Sequence, residues 1–366
     1  LGGAIGDALG APVEFMSGAD IERRFGPDGV RSFQLMAVDG VEARGLITDD
    51  TQMTLFTMEG IIRAFNRMNA RGLGFTNSVI QHAYCRWADT QLYPAPIVHD
   101  GWLVQQQWLY SRRAPGQTCL SALGSGTRDV EQYGSFAVNN SKGCGAVMRS
   151  APFGWLGDST TLGMVYEHAC QAARYTHGHP TGQVASGALA VLIAHIMGGS
   201  ELLEAVNSTT AFLETQENSQ ETLDALEMAV VVAEDGNISR QTLETLGGGW
   251  IAEEALAIAV YAALSYPSKE HAIKALSLAV SHGGDSDSTG SIAGNILGAL
   301  HGESWLPSEF VIQLEGRGTM LEMADDFIYA WRDGYTPKDQ YMSAGDAAMS
   351  PANKGCAWFG RERSSG

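Results

Sequence analysis

The sequence predicts an all-α globular protein. The chain has 366 residues and is 45% hydrophobic, a content typical of a protein with a substantial core. Apolar residues recur at spacings of three and four in "TQMTLFTMEGIIRAF" (51–65), "TGQVASGALAVLIAHIM" (181–197) and "IAEEALAIAVYAALSY" (251–266), which is the period of amphipathic helices. Long alternating patterns are hard to find, and "GVRSFQLM" (29–36) is compatible only with a short hairpin arm. We therefore expect a compact, multi-helix domain.

A single domain is expected over residues 1–340. No composition break and no internal repeat interrupts this part of the chain. Residues 341–366 lack helical periodicity and are expected to form a loosely ordered tail. Because the chain starts at Leu1, inside a helical pattern and without a methionine, we also expect native residues upstream.

The overall charge limits the classes of partner. The net charge is −18 and the pI is near 4.8, so the chain repels phosphate backbones and anionic membrane surfaces. The longest apolar run is shorter than the roughly 20 residues that a membrane span needs. An odd number of cysteines without a CxxC motif indicates a reducing compartment; they are Cys85, Cys119, Cys144, Cys170 and Cys356. We expect a cytoplasmic protein with no nucleic-acid or membrane partner, whose acidity suits cation binding.

Two predicted helices carry glycines at intervals of four. They are Gly2, Gly6 and Gly10 in "LGGAIGDALG" and Gly290, Gly294 and Gly298 in "STGSIAGNILG". A glycine inside a helix costs about 1 kcal/mol relative to alanine, so close helix packing must compensate. The two stripes pack either against each other, which would join the start of the chain to the "GGDSDS" segment, or against separate neighbours.

Two acidic clusters are the strongest chemical signal in the chain. "ITDDTQM" (47–53) and "GGDSDS" (283–288) each precede a predicted helix, so each is also compatible with simple helix capping. Both clusters are more acidic than one cap requires. If the fold joins them, six oxygen-bearing side chains converge: Thr48, Asp49, Asp50, Asp285, Asp287 and Ser288. Four carboxylates would be balanced by two divalent cations, and a ligand set of oxygen alone favours Mg²⁺, Mn²⁺ or Ca²⁺ over zinc.

Three further segments carry weaker signals. The glycine-rich "NNSKGCGAVMRSAP" (139–152) is compatible with a diphosphate-binding turn, with Lys142 and Arg149 as charge partners, and equally with an ordinary loop. "THGHP" places His177 and His179 two residues apart without other zinc ligands nearby, which favours a hydrogen-bonding histidine over a metal ligand. Glu14 in "GAPVEF" is a lone carboxylate that is either a solvated loop residue or catalytic.

Taken in order, these motifs resemble the ADP-ribosylglycohydrolase family, which includes dinitrogenase reductase-activating glycohydrolases and ADP-ribosyl-acceptor hydrolases. The matching segments are "GGAIGDALGAPVEF", "TDDTQM", "KGCGAVMRSAP", "THGHP", "GGGWIAEEAL" and "GGDSDSTGSIAGNILGAL", and they extend from residue 2 to residue 300. The resemblance implies a compact all-α fold of orthogonally packed helices with a binuclear Mg²⁺ or Mn²⁺ centre in a cleft.

The resemblance also implies roles for individual residues. Glu14 matches the glutamate of a mobile loop that covers the metals and assists catalysis, and His177 matches a histidine that contacts the substrate. The phosphate and ribose loop falls on Ser141, Lys142, Gly143 and Gly145. The metal ligands fall on Thr48, Asp49, Asp50, Asp285, Asp287 and Ser288, the last in place of the usual threonine.

Two positions depart from the family pattern. Cys144 stands where the loop often carries asparagine, which removes one expected ribose contact. Ala114 stands where the dinitrogenase branch carries an aspartate, so the catalytic role of that aspartate does not transfer. The same stretch instead supplies a turn at Gly116, which we expect in the substrate site.

The implied reaction is Mg²⁺-dependent hydrolysis of the bond between ADP-ribose and a protein side chain, with arginine as the first acceptor. Two cations would hold the ribose hydroxyls and a water, whose proton would pass to Glu14 or Asp49. The implied partners are an ADP-ribosylated protein, ADP-ribose as product and a cognate ADP-ribosyltransferase toxin. Two alternatives stay open: an immunity-type or structural binding protein on the same scaffold that blocks such a toxin sterically, and a metal-dependent hydrolase of free ADP-ribose derivatives.

Overall fold

The computed structural model is all-α apart from one short hairpin. It describes residues 1–38, 40–72, 74–75, 77–128, 133–157, 161–333 and 339–341. The helices are α1 (Gly2–Gly10), α2 (Gly18–Phe25), α3 (Asp49–Arg71), α4 (Ser78–Leu92), α5 (Gln117–Leu123), α6 (Leu162–Arg174), α7 (Pro180–Met197), α8 (Leu202–Leu213), α9 (Gln220–Glu234), α10 (Arg240–Glu244), α11 (Ala252–Ser265), α12 (Ala272–Val280), α13 (Ser286–His301), α14 (Ser308–Gln313) and α15 (Arg317–Asp333). The hairpin consists of β1 (Met36–Val38) and β2 (Val41–Ala43). The predicted fold class is confirmed.

The hairpin lies later in the chain than the sequence pattern predicted. Strands β1 and β2 are antiparallel, with Met36 opposite Ala43 and Val38 opposite Val41. The expected arm (29–36) overlaps this hairpin only at Met36. The reason is that Val30 and Phe33 are buried (0% and 2% exposed), so this segment is held by packing against the helices instead of by strand pairing.

The two glycine stripes pack against each other. A Cβ atom on Gly6 would lie 1.9 Å from the carbonyl oxygen of Gly290, and one on Gly2 would lie 2.3 Å from that of Gly294. A Cβ on Gly10 would lie 2.2 Å from the carbonyl oxygen of Ser286. The backbones of helices α1 and α13 are therefore in direct contact. Only glycine, which has no Cβ atom, permits this separation between the two helices. This contact joins the start of the chain to the "GGDSDS" segment.

Helix α7 runs through the core of the protein. Its length and composition would also suit a membrane span, but 78% of this 18-residue stretch is buried inside the protein, as expected for a core helix. It starts at Pro180, where the His179 ring accepts a hydrogen bond from the Thr181 backbone. Its packing partners include α6, the neighbouring α8 and the central helix α11.

The predicted tail, residues 341–366, lies outside the described residues except for its first member. Tyr341 is 1% exposed, and its hydroxyl donates a hydrogen bond of 2.9 Å to Asp326 on α15. This residue therefore belongs to the packed part of the domain.

Candidate metal and substrate site

The fold brings the two acidic clusters together. Thr48 and Asp285 are the N-cap residues of α3 and α13, and each side chain accepts a backbone N–H from the first turn of its helix. These residues therefore cap their helices and also belong to the acidic cluster. The loop after α1 adds Glu14, whose carboxylate lies within 4.8 Å of those of Asp285 and Asp287. These three residues form one face of the site, and Asp49 and Asp50, in the first turn of α3, form the other.

The carboxylates are buried and repel one another. Asp49, Asp50, Asp285 and Asp287 are between 2% and 5% exposed, and Glu14 is 8% exposed. Burial, followed by the charge of neighbouring carboxylates, raises the pKa of Glu14 to about 8. Burial raises the pKa of Asp49 to about 8 as well, against the hydrogen bond from Gly116 that lowers it. The pKa values of Asp50 and Asp287 are raised for the same two reasons, burial first and adjacent carboxylates second.

Divalent cations fit this set of residues. In the part of the chain that the structure describes, no lysine or arginine forms an ion pair with these carboxylates. Asp50 Oδ1 is buried and has no hydrogen-bond partner among the described residues. Buried charges are stable only when they are paired or bind metal ions. The donors are mostly oxygen atoms, which suits hard divalent cations.

Asp7 is a buried carboxylate beside the acidic cluster that the motif analysis missed. Its side chain on α1 is fully buried and accepts hydrogen bonds from the backbone N–H and hydroxyl groups of both Thr48 and Thr51, at 2.5 to 3.1 Å. It therefore holds the Thr48 hydroxyl at the edge of the acidic cluster. Burial raises the pKa of Asp7 to about 6, against these four hydrogen bonds. A single charged residue in the small, apolar segment "GGAIGDALG" was the available signal.

Gly116 lies against the acidic cluster. Its backbone N–H donates a hydrogen bond of 3.2 Å to Asp49 Oδ2. The turn before it contains Ala114 with a φ of +49°, a left-handed conformation that is uncommon outside glycine. Thus the stretch that lacks the aspartate of the dinitrogenase branch still reaches the site, through a backbone N–H.

The glycine-rich loop is held in place by contacts with two other segments of the chain. Ser141 Oγ lies 3.0 Å from Thr118 Oγ1, and the backbone of Gly143 forms an isolated β-bridge with Ile251. A Cβ atom on Gly143 would lie 3.5 Å from Nε2 of His177, so the imidazole lies beside the loop. Burial, and then the charge of Arg149, lowers the pKa of His177 to about 3, which keeps this ring neutral.

Neither basic side chain of this segment is placed as a free phosphate ligand. Lys142 Nζ forms ion pairs with Glu221, at 2.7 Å, and with Glu253. Arg149 is 1% exposed, donates to Thr176 Oγ1 at 2.7 Å and stacks 4.1 Å from the centre of the Tyr84 ring. The interpretation of Arg149 as a charge partner for a diphosphate is therefore wrong, because its guanidinium group points into the core.

Cys144 contacts the acidic cluster directly. Its thiol lies 2.8 Å from Asp285 Oδ2, and the Ser288 hydroxyl lies 3.6 Å from the sulfur. Burial, and then the charge of Asp285, raises the pKa of the thiol well above its usual value. The sequence located this residue only in a sugar-binding loop, whereas the fold places its side chain among the expected metal ligands.

An open cavity of about 680 Å³ borders the acidic cluster. It is lined by Glu14, Phe15, Trp250 and the glycines at 247–248 and 283–284, among others. The Phe15 ring is 78% exposed and stacks on Trp250 with 6.0 Å between ring centres. Water and substrate therefore have a route to the Glu14 carboxylate.

Comparison with known proteins finds relatives of similar sequence and a solved structure of similar fold. A relative from Rhodospirillum rubrum, ADP-ribosyl-[dinitrogen reductase] glycohydrolase, is 26% identical over 86% of this chain and 88% of its own length. An uncharacterised protein from Archaeoglobus fulgidus is 29% identical over 88% of this chain and 92% of its own length. A solved structure described as an ADP-ribosylglycohydrolase-related protein complex has a TM-score of 0.59 at 22% identity, covers 91% of this chain and 95% of its own, and shows a shared fold.

The family model for ADP-ribosylglycohydrolase matches residues 1–337, almost the whole chain. This match confirms the resemblance that the motifs indicated, and it includes both acidic clusters and the glycine-rich loop. The comparisons lend no support to a toxin partner. The family is one of hydrolases that act on ADP-ribosylated substrates and is metal-dependent in general. With the acidic cluster and the cavity beside it, the match over residues 1–337 establishes that the chain belongs to the ADP-ribosylglycohydrolase family.

Proposed function

We propose that the protein is a cytoplasmic, divalent-cation-dependent hydrolase that removes ADP-ribose from protein side chains, with the N-glycosidic bond to arginine as its first substrate. The convergence of five buried carboxylates beside an open cavity carries this proposal. The name of the Rhodospirillum rubrum relative, which acts on an ADP-ribosylated protein, supports the choice of substrate class.

Two Mg²⁺ or Mn²⁺ ions are the proposed cofactors. When bound, such ions offset the carboxylate charge and polarise oxygen atoms of the substrate and of water. Two observations support this assignment. Asp50 Oδ1 is buried without a hydrogen-bond partner among the residues that the structure describes. Among the same residues, no lysine or arginine forms an ion pair with the carboxylates of the acidic cluster. The proposed ligands are Thr48, Asp49, Asp50, Asp285, Asp287 and Ser288.

Glu14 is the proposed acceptor of the water proton. Its carboxylate lines the open cavity and lies within 4.8 Å of those of Asp285 and Asp287, so a water beside these residues is within its reach. Asp49 is the other candidate, but its Oδ2 atom already accepts the Gly116 N–H. Asp49 is therefore better placed as a fixed ligand, with Glu14 acting from the loop.

The glycine-rich loop is the proposed site for the diphosphate and ribose. Gly143 and Gly145 lie next to the neutral ring of His177, and Ser141 Oγ accepts a hydrogen bond from the Gly143 N–H. The imidazole can exchange hydrogen bonds with a sugar hydroxyl. Backbone N–H groups of such turns bind anions without a cationic side chain. This arrangement supports binding even though Lys142 is engaged by two glutamates; its ammonium group offsets their charge beside the loop.

The test is release of ADP-ribose from an arginine-modified protein, with Mg²⁺, with Mn²⁺ and with a chelator. We expect release that depends on the cation. The Glu14→Gln variant should lose about 100-fold or more in kcat while it still binds ADP-ribose. An exposed carboxylate on α9 that belongs neither to the cluster nor to the glycine-rich loop, replaced in Asp224→Ala, is the matched control and should leave the rate unchanged.

Parallel substrates decide the chemistry of the acceptor. Proteins modified through a serine oxygen and free ADP-ribose are assayed beside the arginine-modified protein. Preference for the serine linkage would overturn the arginine assignment alone. Absence of turnover of every substrate by folded protein, with either cation present, would overturn the hydrolase proposal.

A further inference from the structure

The short helix α10 connects the loop that carries Glu14 to the glycine turn before Asp285. This loop consists of residues 11–17, between α1 and α2, and is called the Glu14 loop below. Its first end is fixed, because Gly10 packs against the backbone of Ser286 in α13. Its other end leads into α2, so the contacts of α2 with α10 decide where that end lies.

One arginine of α10 holds both α2 and the glycine turn. Arg240 Nη2 donates to Glu22 Oε2 on α2 at 2.9 Å, and Arg240 Nη1 donates to the two carboxylate oxygens of Glu244 at 2.8 and 2.9 Å. Glu244 Oε1 in turn accepts the backbone N–H of Gly283 at 3.1 Å. Because Gly283 lies two residues before Asp285, these contacts join α2 to the start of the second acidic segment.

Two glycines bring the same segments into close contact. A Cβ atom on Gly283 would lie 2.9 Å from the backbone nitrogen of Gly18, the first residue of α2. A Cβ atom on Gly18 would lie 2.3 Å from Glu244 Oε1. Gly18 follows Glu14 by four residues. A displacement of α2 would therefore move the Glu14 carboxylate away from the two carboxylates at the start of α13, which now lie within 4.8 Å of it.

The geometry of this ion-pair group suits positioning better than it suits stabilisation of the fold. The side chains of Arg240, Glu22 and Glu244 are 19%, 51% and 31% exposed. Ion pairs at such exposure contribute little to the free energy of unfolding. A planar guanidinium bound by two carboxylates nevertheless fixes their relative orientation. Catalytic rates depend steeply on the position of the reacting groups, so a weak contact of this kind can matter for rate.

We propose that Arg240 is a positioning residue for Glu14, which it holds at the acidic cluster by fixing α2 to the glycine turn before Asp285. This inference rests on the proposed function, in which Glu14 accepts the proton of the water. Arg240 lines the same cavity as Glu14, but its charge is engaged by two glutamates. It therefore acts through α2 and not as a ligand of the substrate diphosphate.

The experiment compares the steady-state kinetics of full-chain Arg240→Gln and wild type on the substrate that the wild type hydrolyses fastest. We expect kcat to fall about tenfold, with KM and the affinity for Mn²⁺ changed less than about twofold. Arg240→Lys should recover part of kcat, because lysine keeps the charge and loses the planar fork. Glu22→Gln should match Arg240→Gln, and the double variant should be no slower than either, because both changes remove one contact.

Arg23→Gln is the matched control. Arg23 also lies on α2, is 75% exposed and pairs with Asp20 of the same helix, so its replacement should leave kcat unchanged. Hydrogen exchange of the backbone amides in residues 11–25 provides a measurement that needs no catalysis. We expect faster exchange in Arg240→Gln and wild-type exchange in Arg23→Gln.

The outcomes separate this inference from the proposed function. Unchanged kcat or unchanged exchange in folded Arg240→Gln would overturn the positioning role. A rise in KM alone would also overturn it, because Arg240 would then be a direct ligand of the substrate. If folded wild type hydrolyses no substrate, the hydrolase proposal fails, and the exchange rates alone then decide whether Arg240 holds the Glu14 loop.

Discussion

Replacement of Gly6 by alanine tests the packing on which the site depends. Gly6 lies in α1, where an added Cβ atom would come 1.9 Å from the carbonyl oxygen and 2.4 Å from the carbonyl carbon of Gly290 in α13. Backbone atoms cannot rotate away as a flexible side chain can. The two helices must therefore separate until this contact reaches an ordinary van der Waals distance.

The expected effect is the difference of two opposing contributions. Alanine improves helix propensity over glycine by about 1 kcal/mol. Overpacking of a closely packed interface costs about 3 kcal/mol at the upper end of its usual range, which applies here because the contact is with backbone. The free energy of unfolding should therefore fall by about 2 kcal/mol in Gly6→Ala. Separation of α1 from α13 also shifts Asp7 relative to Thr48 and should weaken cation binding.

Gly298 provides the matched control. It lies in the same stripe of α13, but a Cβ atom there would meet no atom within 4 Å. Gly298→Ala should therefore gain the propensity contribution alone and stabilise the protein by about 1 kcal/mol. Chemical denaturation measures both variants against the wild type. Equal stability of Gly6→Ala and Gly298→Ala would refute the reasoning, because it would mean that the helices do not touch at Gly6.

Two further predictions concern the charges of the site. Asp7→Asn replaces the acceptor of four hydrogen bonds with a side chain whose amide nitrogen donates. The affinity for Mn²⁺, measured by calorimetry, should therefore fall about tenfold or more. Unchanged affinity in a folded variant would exclude a role of Asp7 in positioning Thr48. The melting temperature of the metal-free protein should fall as the pH rises from about 6.5 to 8. The pKa of Asp49 is about 8 in the folded protein and near 4 in the unfolded chain, so the folded state binds an additional proton in this range. Raising the pH therefore favours the unfolded state. Scanning calorimetry measures this slope, which excess Mn²⁺ should remove, and a flat curve in chelator would contradict the raised pKa.

The predicted fold class depended on local patterns, whereas the juxtaposition of the acidic clusters depended on which helices pack together. Helices such as α3 and α11 were visible because apolar spacing reports burial directly. The sequence left two possibilities for the glycine stripes, which could pack against each other or against separate helices. Glycines at intervals of four indicate that another helix packs closely on that face, but they do not identify which helix it is. The contact of Gly6 with Gly290 decided between them.

The remaining differences arise from side chains whose direction no local pattern encodes. Arg149 follows the glycine-rich loop in sequence, yet its guanidinium group lies on Tyr84 and Thr176 in the core. The hairpin covers residues 36–43 and leaves out residues 29–35. The reason is that Val30 and Phe33 are buried against helices that lie far away in the sequence. In each case burial against residues far along the chain outweighed the local preference.

By itself, the sequence determined the all-α class, the family and the residue types of the acidic clusters, because periodicity and residue type are local properties. Only the tertiary structure decided which oxygen atoms face one another, since α1 packs on α13 and also binds the start of α3 through Asp7. The same packing revealed Asp7 as the residue that holds Thr48, and it placed the sulfur of Cys144 against Asp285. "ITDDTQM" and "GGDSDS" lie in one site because the glycines let α1 pack closely against α13, while Asp7 of α1 binds Thr48 at the start of α3.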